Sequence, residues 1–126
     1  VCGVCRSKYS EYPEYHTSKD DMGLISPSGL QGAYEVYCEI IEALEHNYIY
    51  EIQCLCEPQL GKRGLYPTIS QKGSYDDIKS MMNFIAYADG SNDLVEISNR
   101  IHTPVKQLIP IVEKLSENHL IECVEE

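Results

Sequence analysis

The sequence predicts an α/β segment followed by a small winged helix-turn-helix domain, and three patterns predict it. Apolar residues recur at three- and four-residue spacing from Leu30 to Leu44, which marks one long amphipathic helix. Behind it, Tyr48 to Cys56 alternates apolar with polar residues as a strand does, and a strand after a long helix suggests an α/β unit. From Tyr75 to Val124, three helical stretches and a short strand follow in the order helix, helix-turn-helix, strand. Glu57 to Lys72, with Pro58, Gly61, Gly64 and Pro67, breaks both periods, so the two domains are expected at 1–72 and 73–126.

Taken in order, Val1 to Ser10 reads as a strand end running into a loop. Tyr9 to Tyr15 continues that loop, because Pro13 forbids a regular ladder. The chain opens on Val rather than Met and runs directly into an apolar pattern, so further sequence is expected before it. Ser26 followed by Pro27 matches a helix N-cap with proline at the first helical position. The helix is expected to reach about Asn47. Its stripe of Leu30, Ala33, Val36, Tyr37, Ile40, Ile41 and Leu44 faces away from Glu35, Glu39, Glu42 and Glu45, as on a helix laid on a sheet. Tyr75 to Ala88 carries Ile78, Met81, Met82 and Ile85 at helical spacing, with Gly90 as its terminator. Leu94 to Ile101 is a short helix capped by Asp93 or Asn92. Thr103-Pro104 opens the next, whose apolar face is Val105, Leu108, Ile109, Val112 and Leu115. Pro110 removes one hydrogen bond inside it and predicts a kink. Asn118-His119 then turns the chain into a strand over Leu120 to Val124.

Of the 126 residues, 43% are hydrophobic and 24% charged, the composition of an ordered globular chain. The net charge is -10, and from Ser74 onward ten acidic residues face four basic ones. A duplex phosphate backbone repels such a segment, so nucleic acid is not an expected partner despite the helix-turn-helix outline. A protein partner or a homo-oligomer contact through the winged helix is. No apolar run approaches the roughly 20 residues of a membrane helix, so no membrane contact is expected. Cys38, Cys54, Cys56 and Cys123 lie in apolar-periodic segments and are expected as buried thiols in a reducing, cytoplasmic setting. Cys2-x-x-Cys5 with Cys54-x-Cys56 is the competing metal-knuckle pattern, made awkward by the one-residue spacing of the second pair.

The stretch with most chemistry is Tyr12-Pro13-Glu14-Tyr15-His16-Thr17-Ser18-Lys19-Asp20-Asp21. A neutral imidazole on a loop at a strand end suits a metal in a cleft. Asp20 or Asp21 is placed to take the other ring proton or to cap the following segment; both readings stand. Glu14 is the nearest candidate base, or a solvated side chain. Lys62 and Arg63, between Gly61 and Gly64, either grip an anionic substrate group or pin their loop to a carboxylate of the catalytic core. His46 and His119 lie at helix C-terminal ends, which favours a structural role, and His102 precedes a capping pair.

Tyr15-His16-Thr17-Ser18-x-Asp20-Asp21 resembles the closing motif of the co-catalytic zinc aminopeptidases of peptidase clan MH. Arg6-Ser7-Lys8-Tyr9 and Cys56-Glu57-Pro58-Gln59-Leu60-Gly61-Lys62-Arg63-Gly64-Leu65-Tyr66-Pro67 are similar to a bacterial aminopeptidase-like group within that clan, which carries a C-terminal winged helix. The resemblance implies that residues 1–72 are the C-terminal portion of a zinc-aminopeptidase-like α/β/α fold. It implies His16 as ligand to a two-zinc site and Tyr15 as a phenol that stabilises the tetrahedral oxyanion, or packs beside the ligand. The remaining ligands and the general base would precede Val1, so these residues alone are expected to be inactive. A peptide-like small substrate is implied for the complete protein, and a link to polysaccharide biosynthesis comes with the group. Against this stands a non-catalytic α/β and winged-helix module for protein binding.

Overall fold

The computed structural model describes residues 3–66 and 74–124. They fall into two compact units, Val1–Ile41 and Glu42–Glu126. The expected domain boundary at Lys72 lies outside the described residues.

The first unit is a run of turns that ends in a helix. Successive i to i+3 hydrogen bonds close it at Lys8–Glu11, Tyr12–Tyr15, Glu14–Thr17, Thr17–Asp20 and Asp21–Leu24. Helix α1 then spans Pro27–Glu45. Its start is the expected one: Ser26 Oγ accepts the amide of Gly29 at 3.1 Å, with Pro27 at the first helical position. Two contacts strap the N-terminal segment to α1. Tyr37 Oη donates to the Val4 carbonyl at 2.6 Å, and Arg6 Nη1 donates to the Gly29 carbonyl at 3.0 Å. The guanidinium lies so close to Gly32 that a Cβ there would stand 2.9 Å from Nη1, and a larger residue would have to push the flexible end of Arg6 aside. No side chain of α1 is buried.

The second unit holds the buried core. Strand β1 is Ile49–Ile52, shorter than the alternation suggests. A 3-10 turn at Leu60–Arg63 follows, then α2 (Ser74–Tyr87), β2 (Asp89–Asp93), α3 (Leu94–Ile101), α4 (Val105–Glu117) and β3 (Ile121–Cys123). The sheet is antiparallel with order β2-β1-β3. The strand assigned from the sequence to the upstream α/β segment is therefore the centre of the winged-helix sheet. Strand β2 was not expected. Asp89-Gly90-Ser91-Asn92-Asp93 has almost no strand propensity, and Gly90, expected as a helix terminator, sits in the strand at φ 80°. Its backbone is held by local bonds: Asp89 Oδ1 accepts from Ser91 N at 3.0 Å and Ser91 Oγ at 2.6 Å. These donors hold the Asp89 carboxyl below its ordinary pKa.

Helices α3 and α4 follow the sequence closely. Asp93 caps α3, its carboxylate accepting from Glu96 N at 2.7 Å. His102 ends it in the left-handed conformation, φ 54°. Pro104 rather than Thr103 occupies the N-cap of α4 and offers no side-chain acceptor there. Helix α4 continues through Pro110 as one element. Leu108, Ile109, Val112 and Leu115 are buried as the periodicity predicts, with Ile111 beside them. They join Tyr50, Leu60, Met81, Phe84, Leu94, Ile97, Leu120 and Ile121 in one cluster. Tyr50 packs edge-on against Phe84 at 5.9 Å and donates its hydroxyl to the His46 carbonyl at 2.8 Å. Burial, reinforced by Cys123 and Tyr48, pushes its pKa far above the ordinary value.

The cysteines correct the sequence reading. Cys5, Cys38, Cys56 and Cys123 are exposed and Cys54 is half-buried. Periodicity places Cys38 near an apolar stripe, but that stripe is itself uncovered. Cys54 donates its thiol to the Cys56 carbonyl at 3.0 Å. Cys2, one member of the competing knuckle pattern, lies outside the described residues.

Candidate functional site

His16 stands in the run of turns, on a backbone at φ 56°. A non-glycine residue in the left-handed region is strained, and such strain gathers at functional sites. Thr17 fixes the turn on both sides: its Oγ1 donates to the Glu14 carbonyl at 2.8 Å and accepts from Lys19 N at 3.2 Å. The imidazole is exposed and lies flat on the Tyr15 ring, centroids 4.1 Å apart and planes 12° apart. Tyr15 is in turn packed edge-on by Tyr12 at 5.7 Å and tilted against Tyr9 at 6.3 Å. Tyr9 and Tyr12 thus build the platform behind the imidazole. The sequence reading put both in motif strings without giving either a role, and their density between residues 9 and 15 was the available signal. Partial burial, with Asp20 and Tyr15 nearby, raises the Tyr12 pKa.

The two aspartates divide. Asp21 Oδ1 accepts from Gly23 N at 2.7 Å and closes the next turn, the capping alternative. Asp20 is exposed, and among the described residues neither carboxylate bonds the His16 ring. Glu14 contributes its carbonyl to the turn, while its side chain is half-buried. Tyr15 packs against the imidazole face.

Lys62 and Arg63 end the 3-10 turn of the second unit, and both are exposed. Arg63 Nη1 donates to the Asn118 carbonyl at 3.1 Å, at the C-terminal end of α4. Among the described residues the partner of Arg63 is thus a helix-end carbonyl. The remaining histidines have local roles. His46 Nδ1 lies 2.8 Å from the Glu42 carbonyl, and His102 and His119 occupy left-handed positions at φ 54° and 53°.

A zinc ion needs about four donors. Among the described residues, no group of three or more His, Cys, Asp or Glu side chains is arranged to hold a metal. These residues by themselves do not fit a zinc site, and His16 is a single donor. Likewise, no helix among the described residues is long and apolar enough to cross a membrane.

Known proteins resemble both units. Residues 1–47 match a domain of unknown function (DUF4910), and residues 48–123 match the winged helix-turn-helix family. A protein of Clostridium acetobutylicum, provisionally named for polysaccharide biosynthesis and for an aminopeptidase-like domain, is 37% identical over 100 residues. The match covers 78% of this chain and 23% of the relative. A crystal structure from the same organism, of a chain provisionally named a peptidase, aligns at TM-score 0.75 and 29% identity. It covers 90% of this chain and 24% of that one. This chain thus spans about a quarter of the length of the relatives it matches, and the resemblance read from the sequence to aminopeptidase-like proteins with a winged helix is borne out. The family match coincides with the observed unit, from β1 as central strand through α4 to β3, and on both grounds the chain belongs to the winged helix-turn-helix family.

Proposed function

We propose that these residues are the His16-bearing part of an aminopeptidase-like, zinc-dependent hydrolase, inactive until joined to the polypeptide that supplies the other ligands and the base. The observation that carries the reading is His16 itself: an exposed imidazole on a strained backbone, backed by the flat face of Tyr15. Among the described residues the imidazole meets only the stacked Tyr15 ring on a left-handed backbone, which suits a donor to a site completed by other polypeptide. The names of the two relatives support the hydrolase class. In this reading His16 would be one nitrogen donor of a two-zinc site completed by the rest of the polypeptide, and zinc there would supply Lewis acidity toward a peptide-like small substrate. Tyr15 holds the imidazole plane, and its hydroxyl is the candidate oxyanion donor. Asp20 would be the candidate to receive the other ring proton in the complete site. A role in polysaccharide biosynthesis in the cytoplasm belongs to the same proposal.

The test is metal content of the complete protein. His16→Ala is expected to lower bound zinc, with unfolding of the second unit unchanged; unaltered zinc would count decisively against it. Tyr15→Phe keeps the stacked ring and removes the hydroxyl. It is expected to retain zinc and lower kcat by about 10²-fold or more if the phenol faces the oxyanion. Unchanged kcat assigns Tyr15 to positioning.

For the winged helix, a protein partner is the favoured reading over a nucleic acid. Glu51, at the centre of the sheet, is paired with Glu122 on one side and Asp89 on the other, and all three are exposed. A row of carboxylates across the wing repels a phosphate backbone. Binding of duplex DNA by the second unit at physiological salt would overturn this.

A further inference from the structure

Strand β1 ends at Ile52, and the chain then bends through Gln53 to Cys56 on its way to the 3-10 turn. Both ends of this bend are held. Gln53 N donates to the Leu120 carbonyl at 2.8 Å, and Leu60 is buried in the core. Two cysteines stand between these anchors. In a regular strand, residues two apart are separated by roughly 7 Å, the upper limit for a disulfide. The bend brings them closer: Cys54 donates its thiol to the Cys56 carbonyl at 3.0 Å, which lays its sulfur against the backbone of position 56. Both cysteines also line one groove with Ile52, Met82 and Ile85, so both side chains are on the same side of the loop. Cys123 is placed differently. It pairs with Tyr50 across β1 and β3, while Ile121 pairs with Ile52. Position 54 lies two residues beyond that pair, which puts Cys123 four residues along the ladder, roughly 13 Å away. Among the described cysteines of the second unit, Cys56 is the partner in reach of Cys54.

We propose that Cys54 and Cys56 form a dithiol that closes reversibly to a disulfide on meeting a low-molecular-weight disulfide, RSSR. Cys56 is exposed and Cys54 half-buried, which sets the order of events. The Cys56 sulfur attacks RSSR, forming Cys56–S–SR and releasing one RSH with the Cys56 proton. The Cys54 sulfur then attacks the Cys56 sulfur, breaking its bond to SR and releasing the second RSH with the Cys54 proton. Two cysteine thiols are oxidised to one disulfide, and RSSR is reduced to two RSH. A ring closed over three residues removes little chain entropy, which makes the bond a labile one and not a structural staple. Oxidation exchanges the hydrogen bond from Cys54 to the Cys56 carbonyl for a covalent tie across the same bend. The pair lies wholly within the second unit and involves no metal, so it stands or falls apart from the His16 proposal.

Glutathione disulfide is the probe. The 126-residue chain and the complete polypeptide are equilibrated in glutathione buffers with a chelator present, acid-quenched, alkylated and mapped by peptide mass spectrometry. Wild type is expected to yield a Cys54–Cys56 disulfide that added glutathione reopens. Cys54→Ser keeps a hydroxyl donor for the Cys56 carbonyl but has no resolving sulfur. It is expected to accumulate the Cys56–glutathione mixed disulfide at least about 10-fold above wild type. Cys123→Ser is expected to change neither product. Urea unfolding of each variant, matched to wild type, separates lost chemistry from a lost fold. Stable glutathione adducts on both cysteines of wild type, with no internal bond, would overturn the proposal. So would a failure of either thiol to react, or a disulfide joining Cys54 to any other cysteine.

Discussion

The two units use similar proportions of apolar residues and put them to opposite use. In Val1–Ile41, none of the described side chains is buried, although Leu30, Tyr34, Val36, Tyr37, Ile40 and Ile41 form a regular stripe. In Glu42–Glu126, the apolar stripes on α2, α3 and α4 close around Phe84, Leu94, Ile97, Leu108 and Leu115, each fully buried. The difference is geometric. Three short helices and a three-stranded sheet present faces to one another, whereas a lone helix has no face of its own to meet. Amphipathicity thus declares that a helix will be covered, without saying whether the cover lies in the same stretch of chain.

Mutations should separate the units sharply. Phe84→Ala is expected to destabilise the second unit by about 3–5 kcal/mol in urea denaturation followed by circular dichroism, the cost of a cavity in a closed core. Leu30→Ala in the 126-residue chain should change stability by less than about 0.5 kcal/mol, since it removes only exposed surface. Equal losses would break the comparison.

Alkaline pH should act on the second unit next. Burial raises the Tyr50 pKa, so the folded state prefers the protonated phenol. That stabilisation is complete below the ordinary tyrosine value of about 10 and is lost as pH climbs from there toward the raised folded value. Wild-type protein is expected to lose stability above that point. Tyr50→Phe should be less stable at neutral pH, because the His46 carbonyl loses its donor, and flatter in alkali. An unchanged alkaline slope would refute the assignment.

Capping sharpens the contrast at smaller scale. Asp93→Ala should destabilise the second unit by about 1 kcal/mol. Ser26→Ala removes an equivalent cap from α1, yet it should fray the helix without moving the main transition. Smallest of all, Glu122→Lys turns a like-charge pair across β1 and β3 into an opposite one. It should stabilise by about 0.2–1 kcal/mol, with the gain shrinking in high salt.

Much of both units was legible because the signals are local. Asp93 caps α3 as its chemistry demands, Ser26-Pro27 opens α1, and Leu108, Ile109, Val112 and Leu115 are buried as their spacing requires. Strand β2 was not legible. Asp89 to Asp93 pairs because β1 is beside it, and pairing with a partner some forty residues away leaves no local trace. The exposed cysteines were missed for a related reason: position in a periodic pattern predicts which face a thiol occupies, but not whether that face is covered. At the candidate site, His16 stood out through its motif, whereas the stacked Tyr15 and its neighbours Tyr9 and Tyr12 needed the turns to bring their rings together.

By itself the sequence determined helix limits, caps, the polar and apolar sides of each element and the acidic charge, because each depends on residue identities and on neighbours within a few positions. Tertiary structure alone decided that β1 joins the winged helix, that Arg63 anchors to Asn118, and that the first unit buries none of its described side chains on its own. Those outcomes depend on surfaces meeting in space, and a pattern along the chain encodes the need for a partner far more strongly than its identity.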